Sequence, residues 1–186
     1  MLRSIMRADA VRNLAAVLRT GARLLAEDPG TSMSAIASAA GVDRTTVHRH
    51  FATREALLSA VFQAKLDSSE KVLDEARLMA APVAVALHRY VEGIIPVSRE
   101  WPVDTRIKMQ QDPAASTRRQ EQSARLDAFI QRALDEGHLR RDTSPAWARA
   151  MLDQLVDSAA HRFPEIDAAQ AADLVVDTFL NGLGTH

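Results

Sequence analysis

Punctuation constrains this chain more than any other feature. Its seven glycines and seven prolines are few for 186 residues and sit between stretches whose apolar residues recur at three- and four-residue steps. The two-residue alternation of a half-buried strand is nearly absent. The pattern therefore predicts an all-α protein. A first helix is expected from about Ala8 to Ala26, with Val11, Leu14, Ala15, Leu18, Ala22 and Leu25 on one face, stopped by Asp28-Pro29-Gly30. Thr31-Ser32 offers capping hydroxyls for a short helix from Met33 to about Ala40, which Gly41 closes. Asp43 caps a second short helix, Arg44 to His50, and Thr53 caps a long one from Arg54 to about Met79. Pro82 opens the next helix. Pro96 and Pro102 are expected to interrupt or kink the stretch around Trp101, and a short helix is expected from Asp104 to Gln110. Asp112-Pro113 starts a helix that Gly137 ends. Thr143-Ser144-Pro145 starts another that reaches about His161, and a last one runs from about Asp167 to Leu180.

The segment from Met33 to Phe51 has the proportions of a helix-turn-helix, two short helices around a tight turn with glycine. On a wheel of about 100° per residue, Arg44, Thr45, His48 and Arg49 share one arc of the second helix, and Val47 and Phe51 another. The second arc can pack on Ile36, Ala37, Ala40 and Val42. The first is polar and cationic, as an element lying in a major groove needs, but a solvated helix face has the same composition. Charge adds to the picture. Up to Arg54 the chain carries eight arginines against four acids, so the remainder of this −1 chain holds a net −5. A basic segment joined to an acidic one suggests a polyanionic partner for the first alone, although a surplus of this size also arises by chance.

These residues resemble the tetracycline-repressor (TetR) family. Thr31-Ser32-Met33-Ser34-Ala35-Ile36-Ala37-Ser38-Ala39-Ala40-Gly41-Val42 is similar to the family's second helix, and Asp43-Arg44-Thr45-Thr46-Val47-His48-Arg49-His50-Phe51 to its recognition helix. Ala52-Thr53-Arg54-Glu55-Ala56-Leu57-Leu58 resembles the entry to its fourth, and the likeness covers roughly Arg7 to Val61. The resemblance implies an N-terminal three-helix DNA-binding domain over residues 1–53 and a helical ligand-binding and dimerisation domain over 54–186. It also implies a homodimeric regulator, in most members a repressor, that holds a pseudo-palindromic double-stranded operator and lets go when a small molecule binds. Thr31 or Ser32 and Arg54 would clamp phosphates, Arg44, Thr45 and His48 would face base edges with Thr46 beside them, and Arg49 and His50 would lie near the backbone. Two positions depart from the family's habit. Residue 45 is usually glycine, alanine or proline there, and residue 48 usually tyrosine, so the operator cannot be borrowed from relatives. The leader Met1 to Asn13, with Arg3, Arg7 and Arg12, is either an arm for a minor groove or a solvated terminus.

The acidic remainder carries no motif. Under the resemblance its last two helices form a four-helix dimer interface, with Trp147, Met151, Leu155, Leu174, Val175 and Thr178 supplying apolar stripes; intramolecular core is the competing reading. An effector pocket would draw on His88, Tyr90, Trp101, Arg106, Met109 and Phe129, types that serve equally as plain core. Asp153, Asp157 and His161 repeat at four-residue steps, but the stripe reads as solvated or dimer-crossing, and neither a metal nor a cofactor is expected.

Other classes fall away on specific grounds. The chain has no cysteine, which removes disulfides, thiolate metal sites and cysteine nucleophiles. No apolar run approaches the roughly 20 residues of a membrane span, and the N-terminus has no signal-like apolar stretch, so a cytoplasmic protein with no membrane partner is expected. No nucleophile elbow, phosphate loop, zinc-binding helix or paired-carboxylate signature points to an enzyme. The alternatives that stay open are a helix-turn-helix that binds protein instead of DNA, and a regulator whose ligand promotes binding.

Overall fold

The computed structural model describes residues 2–103 and 113–183. Among them are eight α-helices and no strand: α1 (Leu2–Glu27), α2 (Met33–Ala39), α3 (Arg44–His50), α4 (Arg54–Ala76), α5 (Val83–Glu100), α6 (Pro113–Asp135), α7 (Pro145–His161) and α8 (Ala168–Leu183). Three expectations change. The first helix begins at Leu2 rather than Ala8, so the backbone of the leader is helical. Neither glycine nor proline occurs before Gly21, and a helix once nucleated extends until something stops it. α4 ends at Ala76, because Arg77 takes a left-handed φ of 53° and its carbonyl accepts from the N–H groups of Ala80 and Ala81. Pro96 does not end its helix: α5 runs through it to Glu100. Proline removes a bond to the carbonyl of Glu92 and crowds it, yet Glu92 and Pro96 both face solvent, where water can satisfy that carbonyl. Buried Val91, Ile95 and Val97 hold the opposite side of the helix. The short helix expected from Asp104 lies outside the described residues.

The chain divides into two compact units. The first comprises Met1–Lys65 and Glu100–Pro113. Its core gathers Val17, Ala22 and Leu25 of α1, Ile36 and Ala37 of α2, Val47 of α3, Phe51, and Leu57 and Val61 of α4. Gly21 permits a close approach here: a Cβ on it would lie 3.2 Å from Leu57 Cδ2 and 3.7 Å from Ile36 Cγ2. Arg19 pairs with Glu100, and Lys65 Nζ donates to the Val103 carbonyl at 2.9 Å, fastening the returning segment.

The second unit comprises Leu66–Arg99 and Ala114–His186. Leu87, Tyr90, Val91, Ile95, Phe129, Ile130, Leu152 and Phe179 form its core. Gly93 lets α5 come so close to α4 that an added Cβ would stand 2.8 Å from Val72 Cγ1. Long polar ties complete it. Arg125 bridges Glu70 and Asp74, and Arg132 donates to the carbonyls of Leu78 and Ala81. Arg149 holds Asp127 and Asp153. Arg99 donates to four carbonyls at the α7–α8 turn: Ala159, Ala160, Phe163 and Ile166, at 2.9 to 3.2 Å.

Candidate nucleic-acid interface

Local capping sets the geometry of the helix-turn-helix. Ser32 is the N-cap of α2, its hydroxyl accepting from the Ala35 N–H at 3.2 Å. Gly41, at φ 66°, supplies the left-handed step that turns the chain, and the Val42 N–H returns to the Ala37 carbonyl at 3.0 Å. Asp43 caps α3, where its Oδ1 accepts from the Thr45 N–H at 2.7 Å and from the Thr45 hydroxyl at 2.5 Å. That hydroxyl first, and the Thr45 N–H second, hold the Asp43 carboxyl below its ordinary value, so it is ionised at neutral pH.

With Val47 buried against the first unit's core, the rest of α3 faces outward. Arg44, Thr45, His48, Arg49 and His50 are exposed and Thr46 is half-buried. Arg44 Nε donates to His48 Nε2 at 3.4 Å, one helical turn along. His50 lies against Phe51 with ring centroids 6.3 Å apart. The result is an exposed, cationic, donor-rich ridge about two turns long. A major groove about 12 Å wide admits such a helix, and its guanidinium and imidazole donors match the acceptors on guanine and the phosphates.

The expected phosphate clamps are placed differently. Ser32 is exposed beside α2 and can donate outward while it caps. Thr31 is half-buried, its hydroxyl turned to the carbonyls of Asp28 and Leu24 at 2.9 and 3.4 Å. Arg54 is half-buried too: it donates to the Pro29 carbonyl, and its Nε is enclosed with no partner among the described residues. Arg54 thus ties the start of α4 to the α1–α2 turn.

Tyr90 and Phe129 are core residues of the second unit, whereas Trp101 is buried in the first. His88 is partnered by Asp173 at 3.0 Å and Glu92 at 3.7 Å. Arg106 and Met109 lie outside the described residues. A groove of about 580 Å³ opens in the second unit between Leu73, Arg77, Leu78 and Met79 on one side and Ala124 and Arg125 on the other. The sequence reading named none of these. The dimer candidates divide by exposure. Trp147 (56 %) and Leu174 (57 %) stand out from α7 and α8, Thr178 is exposed, Met151 and Leu155 are half-buried, and Val175 points into the core. α7 and α8 pack against each other beneath this face. Of the acidic stripe on α7, Asp153 is engaged by Arg149 and Asp157 lies 3.8 Å from His161.

Comparison with known proteins falls on the same segment. Residues 17–61 match the family model described as bacterial regulatory proteins, tetR family. The HTH-type transcriptional repressor LfrR of Mycolicibacterium smegmatis is 38% identical over 82 residues, a segment spanning 44% of this chain and 43% of LfrR. The crystal structure of the TetR-like regulator LfrR from Mycobacterium smegmatis in complex with proflavine superposes with a TM-score of 0.70 at 25% identity, covering 94% of this chain and 99% of that one. The ketosteroid transcriptional regulator KstR2 of Mycobacterium tuberculosis shares the fold, with a TM-score of 0.76 at 17% identity over 91% of this chain and 94% of its own.

Proposed function

We propose that the chain, whose residues 17–61 match the model of the tetR family of bacterial regulatory proteins, is a member of that family and a ligand-responsive transcriptional repressor. It binds a pseudo-palindromic operator as a homodimer and is released by a small molecule. The observation that carries this reading is the outward face of α3, where Arg44, Thr45, His48, Arg49 and His50 are exposed on a helix fixed by the Asp43 cap and buried Val47. Residues 1–53 do the binding, with Ser32 and Arg49 reaching phosphates, and residues 54–186 sense and dimerise. No helix among the described residues is long and apolar enough to cross a membrane.

A dimer follows from the energetics as well. One such ridge covers little DNA, and two on successive turns of the duplex multiply affinity through effective concentration. The exposed Trp147 and Leu174, with Met151, Leu155 and Thr178, supply the self-complementary apolar face that α7 and α8 would bury against their copies. The effector is a small molecule taken by residues 54–186, as LfrR takes proflavine. It acts by its differential affinity for the two states of the dimer, and α4, which runs from the first unit into the second, carries the change.

Selection from random duplex DNA tests the reading, using the wild type and an Arg44→Ala, Arg49→Ala double variant. The wild type should enrich a pseudo-palindrome and the variant should not. Affinity should also fall steeply with salt, by about one log–log slope unit per phosphate neutralised. A flat salt response, or no enrichment at low salt without ligand, overturns the repressor reading. In the first case a protein partner becomes the better explanation, and in the second a co-repressor.

A further inference from the structure

Thr45 is exposed on α3, and its environment limits what it can offer a base. Its hydroxyl and its N–H both end on one oxygen of Asp43, at 2.5 and 2.7 Å. Hydrogen bonds to an ionised carboxylate are roughly twice as strong as neutral ones. The downward displacement of the Asp43 carboxyl, caused first by this hydroxyl, shows the same coupling from the acid's side. A hydroxyl that turned to a base edge would give up that bond and leave Asp43, already a negative charge beside DNA, less well neutralised. Cβ of threonine bears one other heavy substituent, the methyl, and with the hydroxyl on Asp43 the methyl occupies a different staggered position. Thr45 is exposed on the ridge of α3.

We propose that Thr45 is a specificity-determining residue that recognises a thymine through its methyl group, while its hydroxyl stays with Asp43 as part of the α3 cap. The proposal rests on the DNA-binding reading above. In the major groove the thymine C5-methyl is the one apolar feature that distinguishes a base pair, and a threonine methyl is a suitable partner for it. Asp43 is then a positioning residue: it chooses which of the two faces of Thr45 meets the DNA.

Uracil scanning provides the test. Starting from the operator enriched by the wild type, each thymine of a half-site and its symmetry mate are replaced by uracil, which removes the methyl and keeps the base pairing. For the wild type, one symmetric pair should be sensitive, with affinity about four-fold lower per half-site, the effect of one buried methyl. Thr45→Ser, which keeps the hydroxyl and lacks the methyl, should be indifferent to uracil at that pair. Thr45→Val, which keeps a methyl and lacks the hydroxyl, should retain the preference. The opposite pattern, with serine preserving the preference and valine losing it, would mean that the hydroxyl reads the base. A wild type with no sensitive thymine also overturns the proposal, and that arm needs no variant to fold. If the wild type enriches no sequence at all, it is the DNA-binding reading that has failed.

Discussion

The polar groups around α2 and α3 and the long arginine ties of the second unit are held by opposite means. Around α2 and α3, polar groups are tied to near neighbours: Thr45 to Asp43, Ala35 to Ser32, Ala56 to Thr53, and Thr31 back to Leu24. In the second unit, the polar groups reach across. Arg99 spans 60 to 67 residues to the α7–α8 turn, Arg132 more than 50 to the loop after α4, and Gln122 reaches the Leu66 carbonyl from α6. The contrast teaches where each unit can vary. A surface fixed by local caps can exchange its outward side chains without disturbing a core. A unit knitted by long arginine ties tolerates exchange at its cavities and faces but not at the ties.

The strongest test of that contrast concerns the dryness of the second unit. Tyr90 is the chain's one tyrosine, so its ionisation can be followed by ultraviolet absorbance without deconvolution. Burial first, and the nearby Asp153 charge second, push its phenol up to about 12, with Arg149 and Arg119 pulling the other way. A raised folded-state value means that the stabilisation is complete below pH 10, the ordinary value, and is lost as pH climbs from 10 to about 12. A midpoint near 10 in the native protein would show that unit to be as wet as the first.

Removing the Arg99 tie comes next. Arg99→Ala strips four carbonyls of a charged donor and should cost about 2 to 3 kcal/mol in urea unfolding, since bonds to charged groups are the stronger class. Arg54→Ala, which loses a single carbonyl bond in the first unit, should cost about 1 kcal/mol. Equal losses would erase the distinction. Closely packed glycines sharpen it further. Gly93→Ala drives a methyl into Val72, a β-branched side chain with one rotamer available in a helix, and should lower stability by about 1 to 2 kcal/mol. Gly21→Ala meets only the flexible end of Leu57, and the gain in helix propensity, about 1 kcal/mol, should leave it near neutral. The smallest effect compares two caps. Ser32→Ala should cost about 1 kcal/mol. Ser144→Ala should cost a few tenths, because Ser144 makes no side-chain bond to α7. Thermal melts of the pair read the difference.

The same contrast explains what could be read without coordinates. Gly41, Asp43, Thr53, Gly137 and Pro145 all mark boundaries that the structure repeats, because a cap or a left-handed turn is a local event written in two or three residues. The exposed ridge of α3 was legible for the same reason: at about 100° per residue Val47 and Phe51 fall outside the arc that runs from Arg44 through His48 and Thr45 to Arg49. Whether Pro96 would stop its helix or lie within it was not legible, because the cost depends on whether the bereft carbonyl meets water, and only the fold decides that. The true start of α1 was hidden because a sequence without breakers gives no start signal. For Arg54 and Thr31 the sequence offers the donors but not their partners within the chain, the carbonyls of Pro29 and of Asp28 and Leu24, which are fixed by how the chain folds back. For Tyr90 and Phe129, pocket wall and core share the same apolar periodicity. Nothing local announces Arg99 or Gly93 either, since each is defined by a partner in another helix.

The four carbonyls gathered by Arg99 also bear on the order of assembly. Their loops of 60 to 67 residues are entropically expensive to close before the intervening helices have collapsed. Contacts of such separation form late and slow the folding of a domain. The caps around α2 and α3 close loops of a few residues and can form early. A nascent chain would therefore present its helix-turn-helix before the α7–α8 turn is secured, and native-state hydrogen exchange should find that turn among the first segments to open.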